Sequence, residues 1–195
     1  MNPILSKNVF LVKEHVGMFK ASNNYDIFNP ETGTLMMTCR EPNLGFFTKI
    51  FRFTDYKRMT SFHIVISDDQ GKKMLSIKRG VTVFRSDVEV FDENDKRIGV
   101  FKQKFFSFGG KFELHDNQDK HLCTLQGKWT GWDFKFLQHG KEVATVSKKW
   151  AGIGKELFTS ADNYVININE TVAPEDNLRP LIVSAVMCID MVFKE

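Results

Sequence analysis

Hydrophobic positions in this chain follow two rhythms. Through most of its length, short apolar–polar alternations are separated by clusters of Gly, Pro, Asn and Asp, the pattern of strands with one face buried. Residues 25–28 and 35–39 flank Asn29-Pro-Glu-Thr-Gly33 and read as a hairpin with Pro and Gly in the connection. Residues 62–66 turn at 67–71 into 74–77, residues 81–91 turn at 92–95 into 98–101, and residues 112–114 turn at 116–119 into 122–125. Residues 134–136 turn at His139-Gly140 into 143–146, and 164–168 close the series. With 9–12 at the start and a stretch from Gly127 to Trp129 continuing from Leu125, the spacing predicts about a dozen strands. The turns are alike in kind but show no strict repeat, which argues against a propeller or solenoid. Residues 48–60, basic, aromatic and irregular, fit a loop or a short surface helix.

The second rhythm belongs to residues 178–195. From Leu181 to Phe193 only Ser184 and Asp190 are polar, and at about 100° per residue they point in different directions. A helix without a polar face must be enclosed by protein or by lipid. The run is shorter than the ~20 residues that cross a bilayer, and Asp190 interrupts it, so enclosure by protein is the expectation. Asn177 is the expected N-cap, and Pro180 falls in the first turn, where a missing N–H costs little. A closed antiparallel sheet has no free edges, and a wide one is empty unless something fills it. The two rhythms together predict a barrel plugged by its C-terminal helix.

Composition agrees with one folded domain. Nineteen Phe residues among 195 supply a large burial payload, and a net charge of +3 permits, without demanding, an anionic partner. The cysteines, Cys39, Cys123 and Cys188, are odd in number and widely spaced, so neither a disulfide framework nor a zinc site is indicated. The only apolar run between Met1 and Gly17 is Phe10-Leu11-Val12, too short for a signal-peptide core. A reducing, cytoplasmic setting is expected.

The stretch Val146-Ser-Lys-Lys-Trp-Ala-Gly-Ile-Gly-Lys-Glu-Leu-Phe-Thr-Ser-Ala-Asp-Asn-Tyr-Val-Ile166 resembles the phospholipid scramblase family, in which Ser-Lys-x-Trp leads through Glu-x-Phe-Thr to Ala-Asp-Asn-Phe/Tyr. Ala185-Val-Met-Cys-Ile-Asp190 and the closing Phe-x-Glu at 193–195 resemble it too, and residues 25–33 suit its opening hairpin. The resemblance extends to plant LURP-one-like proteins and to Tubby C-terminal domains, and implies their twelve-stranded barrel around a C-terminal helix. Two features depart from the family. Three scattered cysteines cannot form the lipidated cluster of animal scramblases. The family's proposed calcium segment starts with an acidic residue two before the Asp, where this chain has Ser160; it keeps Asp162 and then reads Asn-rich up to Glu170. One Asp and a distant Glu fall short of the six to eight oxygens calcium takes, so Asp162 is a weak calcium candidate and no cofactor is expected.

Other chemistry is sparse. The five histidines, His15, His63, His115, His121 and His139, form no H-E-x-x-H, and no G-x-S-x-G or P-loop is present. His115 and His121 with Cys123 read as a solvated turn rather than a metal site. Residues 102–112 interleave basic and aromatic side chains, but alternate Phe beside Gly-Gly is the pattern of a barrel core, and Asp162-Asn163 also suits a turn that caps its own backbone.

Basic pairs stand at Lys57-Arg58, Lys72-Lys73, Lys78-Arg79 and Lys148-Lys149. The reading that follows is a single domain over residues 1–195, all-β with its core helix at about 177–193. Its expected function is non-catalytic binding of an anionic lipid or membrane surface through Lys72, Lys73, Lys78, Arg79, Lys148 and Lys149, with peripheral membrane association. The alternative is a soluble protein–protein interaction module without a lipid role. Neither a nucleic-acid partner nor a transmembrane span is expected.

Overall fold

A computed structural model of the chain describes residues 2–15, 24–42, 60–81, 87–104, 110–148 and 163–193. Twelve strands follow one another: β1 (Val9–Glu14), β2 (Tyr25–Phe28), β3 (Leu35–Arg40), β4 (Phe62–Asp68), β5 (Lys73–Arg79), β6 (Asp87–Asp92), β7 (Arg97–Gln103), β8 (Lys111–Asp116), β9 (His121–Lys128), β10 (Asp133–Gln138), β11 (Lys141–Ser147) and β12 (Asn163–Ile168). One helix, α1 (Leu178–Phe193), ends the described chain. Each strand pairs antiparallel with its sequence neighbours, and β12 closes on β1 from Val9↔Asn167 to Lys13↔Asn163. The expected barrel and enclosed helix are both present.

Local chemistry departs from expectation in two places, at Trp129 and at the helix cap. Trp129 leaves the strand and opens a short 3-10 turn, Trp129–Gly131. β6 begins at Asp87, and residues 82–86 of the strand expected there lie outside the described residues, as do 48–59. The helix is capped by Asp176 rather than Asn177: Asp176 Oδ1 accepts from the Leu178 N–H at 2.8 Å and the Asp176 carbonyl from the Arg179 N–H at 3.1 Å. A side chain one residue further back reaches the same orphan N–H groups.

The strand ends define two mouths. At one, tight turns join β4 to β5, β6 to β7 and β8 to β9, and they repeat the same device at 24-residue spacing: Asp68-Asp-Gln-Gly-Lys72, Asp92-Glu-Asn-Asp-Lys96 and Asp116-Asn-Gln-Asp-Lys120. The first Asp of each turn accepts from the backbone N–H two and four residues on, at 2.8–3.1 Å. The fourth residue is left-handed: Gly71 at φ 81°, Asp95 at 60° and Asp119 at 67°. Asp tolerates this region better than most side chains because it can bond locally. Helix α1 starts at this mouth and runs to the other.

Both helix ends are held by polar contacts. At the hairpin mouth Arg179 is buried and donates to the carbonyls of Leu5, Ser6, Lys7, Val172 and Ala173 and to Asn8 Oδ1, at 2.7–3.3 Å. Its charge is balanced in these contacts by carbonyl dipoles, and the planar fork ties the N-terminal segment to the start of the helix. At the far mouth Asp190 is buried and takes the Tyr25 hydroxyl at 2.6 Å and the Tyr164 hydroxyl at 3.2 Å. The Tyr164 hydroxyl also lies 3.3 Å from Glu14 Oε2. Burial and the Asp190 charge push the Tyr25 hydroxyl well above its ordinary value, so it stays a donor. Between these ends, Leu181–Ile189 have no exposed surface, and Ser184 satisfies its hydroxyl on the Pro180 carbonyl at 2.8 Å. Gly99 on β7 lets the helix approach, since a Cβ there would sit 2.9 Å from the Leu181 methyls and 2.7 Å from the His115 carbonyl.

Two substitutions check these anchors by chemical denaturation. Arg179→Lys keeps the charge but cannot span six acceptors, and lowers unfolding free energy by about 2–4 kcal/mol; a neutral result would show that the contacts carry no stability. Asp190→Ala costs about 2–4 kcal/mol, and combining it with Tyr25→Phe costs less than the two single changes added together. Additive losses would show that the Tyr25–Asp190 bond is not an energetic unit.

Candidate functional site

Three neighbouring strands, β4, β5 and β6, carry a polar cluster on the outside of the barrel. Strand alternation sends Ile64, Ile66, Leu75, Ile77 and Val90 into the core, where they are buried. The intervening residues share the outer face: His63 stands opposite Lys78, and Ser76 stands between Val65 and Phe91. Asp95, on the β6–β7 turn, bridges two lysines of β5. Its Oδ2 lies 2.8 Å from Lys73 Nζ and its Oδ1 3.3 Å from Lys78 Nζ. The Lys78 ammonium also sits 4.7 Å from the centre of the Phe91 ring.

Charge and burial in this cluster pull against each other. Hydrogen bonds from Lys73 and Lys78 hold the Asp95 carboxyl below its ordinary value. Burial, reinforced by the Lys78 and Lys73 charges, lowers the His63 imidazole from its own. Ser76 has no exposed surface, and among the described residues neither its Oγ nor His63 Nε2, also buried, has a hydrogen-bond partner.

The sequence-predicted basic residues separate into different settings. Lys73 and Lys78 are brought together by Asp95, and Lys72, next to Lys73 in sequence, is exposed at the β4–β5 turn. Arg79 does not join them. It is 3 % exposed, donates to the Thr60 carbonyl at 2.7 Å and the Met191 carbonyl at 3.2 Å, and stacks over Phe62 at 4.8 Å, so it braces the helix end from inside the far mouth. Lys148 follows β11, six strands from β5 around a ring of twelve, with its ammonium 5.4 Å from the Trp132 ring and 5.1 Å from the Tyr164 ring. Lys149, Asp162 and the Lys57-Arg58 pair lie outside the described residues.

Reading the sequence for basic pairs overlooked His63, Ser76 and Asp95. The signal was available, because period-two parity places His63, Ser76 and Lys78 on one face, and Asp95 occupies the turn position that Gly71 holds in the preceding hairpin.

Two other places could hold chemistry. A cavity of about 740 Å³ opens at the hairpin mouth, floored by Leu5, Met74, Leu75, Ile98 and Leu122, with Lys72, Lys96, Glu93 and Glu175 at its rim. On β8 and β9 the His115 and His121 rings meet edge to face at 5.6 Å, with His115 Nδ1 2.8 Å from the Asp119 carbonyl and His121 Nε2 3.2 Å from Thr124 Oγ1. Cys123 is buried in the core, and among the described residues no three His, Cys, Asp or Glu side chains gather as metal ligands would. Among the described residues, too, no helix is long and apolar enough to cross a membrane.

Known proteins place this architecture. An X-ray structure of a protein from Arabidopsis thaliana is similar over 98 % of this chain and 96 % of that one, with a TM-score of 0.58 at 15 % identity, which speaks for a shared Tubby-like barrel fold. No curated protein sequence matches the chain significantly. The Scramblase family model matches residues 4–195, nearly the entire sequence, and the chain belongs to the Scramblase family.

Proposed function

We propose that this protein acts by binding and not by catalysis, as a peripheral ligand of anionic membrane surfaces. The observation that carries the reading is the Scramblase family match over residues 4–195, which points to a lipid-related barrel. The enclosed helix supports a surface role, because its apolar side chains are already committed to the core. First contact falls to Lys72, Lys73 and Lys78, each worth about 1 kcal/mol near an acidic leaflet, with Lys148 and Lys149 as a second basic site. Arg79 is left out because its guanidinium is engaged inside the barrel. The three free cysteines are buried, and burial pushes the Cys123 thiol up to about 12, which suits unreactive thiols in the cytoplasm.

Co-sedimentation with vesicles tests this. Phosphatidylcholine mixed with phosphatidylserine should bind the protein and phosphatidylcholine alone should not. Binding should fall several-fold between roughly 0.01 M and 0.15 M salt, as the screening length shrinks from about 30 Å to about 8 Å. A calcium chelator should leave it unchanged. Equal affinity for both vesicles, or none for either, would overturn the reading in favour of a protein–protein interaction module.

A further inference from the structure

We propose that the outer face of β4 and β5 is a binding site for a phosphate monoester, with Lys73 and Lys78 as its cationic clamp, Ser76 and His63 as its hydrogen-bond donors, and the Asp95 carboxylate as an internal occupant that the ligand displaces. The proposal deepens the membrane-surface reading and rests on it only for the source of the phosphate.

Two buried polar atoms mark this face. Ser76 Oγ and His63 Nε2 are removed from water without a hydrogen-bond partner, a state that folded proteins largely avoid unless something else supplies the partner. Both lie on the strand face that carries Lys78, His63 directly across from it and Ser76 two residues before it. The only anion bridging Lys73 and Lys78 in their described contacts is Asp95, whose two oxygens are each taken by one lysine. It therefore satisfies the ammonium groups and leaves the Ser76 hydroxyl and His63 imidazole of the same face unserved. A phosphate monoester carries three terminal oxygens and up to two charges, enough to meet both lysines and a further donor at once. His63 gains most from such a ligand, because the lysine charges that now disfavour its protonated form would be offset.

Asp95 is suited to being displaced. Its side chain is 59 % exposed and hangs from a turn, so leaving the lysines returns it to water. The corresponding residue of the next hairpin, Asp119, sits differently. It holds a single lysine, Lys102, while the neighbouring Lys104 is held by Glu113, so no pair of ammonium groups converges there. His115 Nε2 beside Asp119 is likewise buried without a hydrogen-bond partner, but it has the Glu113 carboxylate 3.5 Å away, so among the described residues the carboxylate shared by two lysines is the feature that distinguishes the β4–β5 face.

The test uses the full chain, sn-glycerol 3-phosphate as a soluble monoester, and phosphatidylcholine vesicles carrying either phosphatidic acid (a monoester headgroup) or phosphatidylglycerol (a diester). Asp95→Asn frees the lysines, and Glu93→Gln makes the same charge change two residues away without freeing them. The His63 ring resonances should shift saturably with glycerol 3-phosphate. Asp95→Asn should tighten binding about ten-fold, whereas Glu93→Gln changes it less than about two-fold. The Lys73→Gln/Lys78→Gln double variant should lose the saturable shift.

An equal gain from Asp95→Asn and Glu93→Gln would reduce the effect to net charge and overturn the site, as would an unmoved His63. If the Asp95→Asn gain extends to phosphatidic acid but not phosphatidylglycerol vesicles, the monoester is a lipid headgroup. If it is confined to glycerol 3-phosphate, the site stands with a soluble ligand, and the membrane reading stands or falls with the vesicle co-sedimentation alone. Vesicle binding that ignores both the Asp95 and the lysine changes, with no soluble binding, leaves the membrane reading and removes the site.

Discussion

A helix with no polar face can persist in water only where other side chains cover it in every direction, and the closed sheet of this protein meets that requirement. Closure and plugging are mutually dependent. The barrel without α1 would surround a void lined by Phe, Ile and Leu, and α1 without the barrel would expose a continuous apolar cylinder. The ends of α1 add what non-directional burial cannot, a defined depth and rotation. Arg179 ties the first turn to the N-terminal segment, and Asp190 ties the last turns to tyrosines on β2 and β12. The strands so joined, β1, β2 and β12, are those at the seam where the ends of the sheet meet.

With the interior committed, function belongs to the outer faces and the mouths. The hairpin mouth repeats one turn design three times, and small changes within that design have large local effects. Gly71 leaves the left-handed position bare, Asp119 uses it to hold one lysine, and Asp95 uses it to hold two. Among the described residues, only the last arrangement joins two lysines on a face that also carries the unpartnered Ser76 Oγ and His63 Nε2. A Scramblase-family barrel can in this way carry a selective anion site on a surface whose average charge is only mildly basic.

Much of this was legible from residue pattern alone. Alternation at positions such as 62–66 and 134–136 marked strands because one face of each is buried and the other wet, and the missing polar face of residues 181–193 called for an enclosure. Contacts between residues distant in sequence were not legible. Nothing local to Arg179 announces that its partners are the carbonyls of residues 5–7, and Arg79 looked like half of a surface basic pair until the helix end was placed beside it. The Asp176 cap was missed because Asn177, a good capping residue, stands next to it. The resemblance in residues 146–166 pointed to the right family, although most of that segment lies outside the described residues.

The central claim, that the enclosed helix and the barrel are one cooperative unit, is tested most directly by native-state hydrogen exchange across residues 182–189. An enclosed helix cannot release its amides while the sheet remains closed. Its opening free energy should therefore equal the global unfolding free energy from denaturant titration and fall with denaturant at the same slope. Helix amides that exchange by a smaller, denaturant-insensitive opening while the β4–β5 amides remain protected would contradict the account, since the barrel would then stand without its plug.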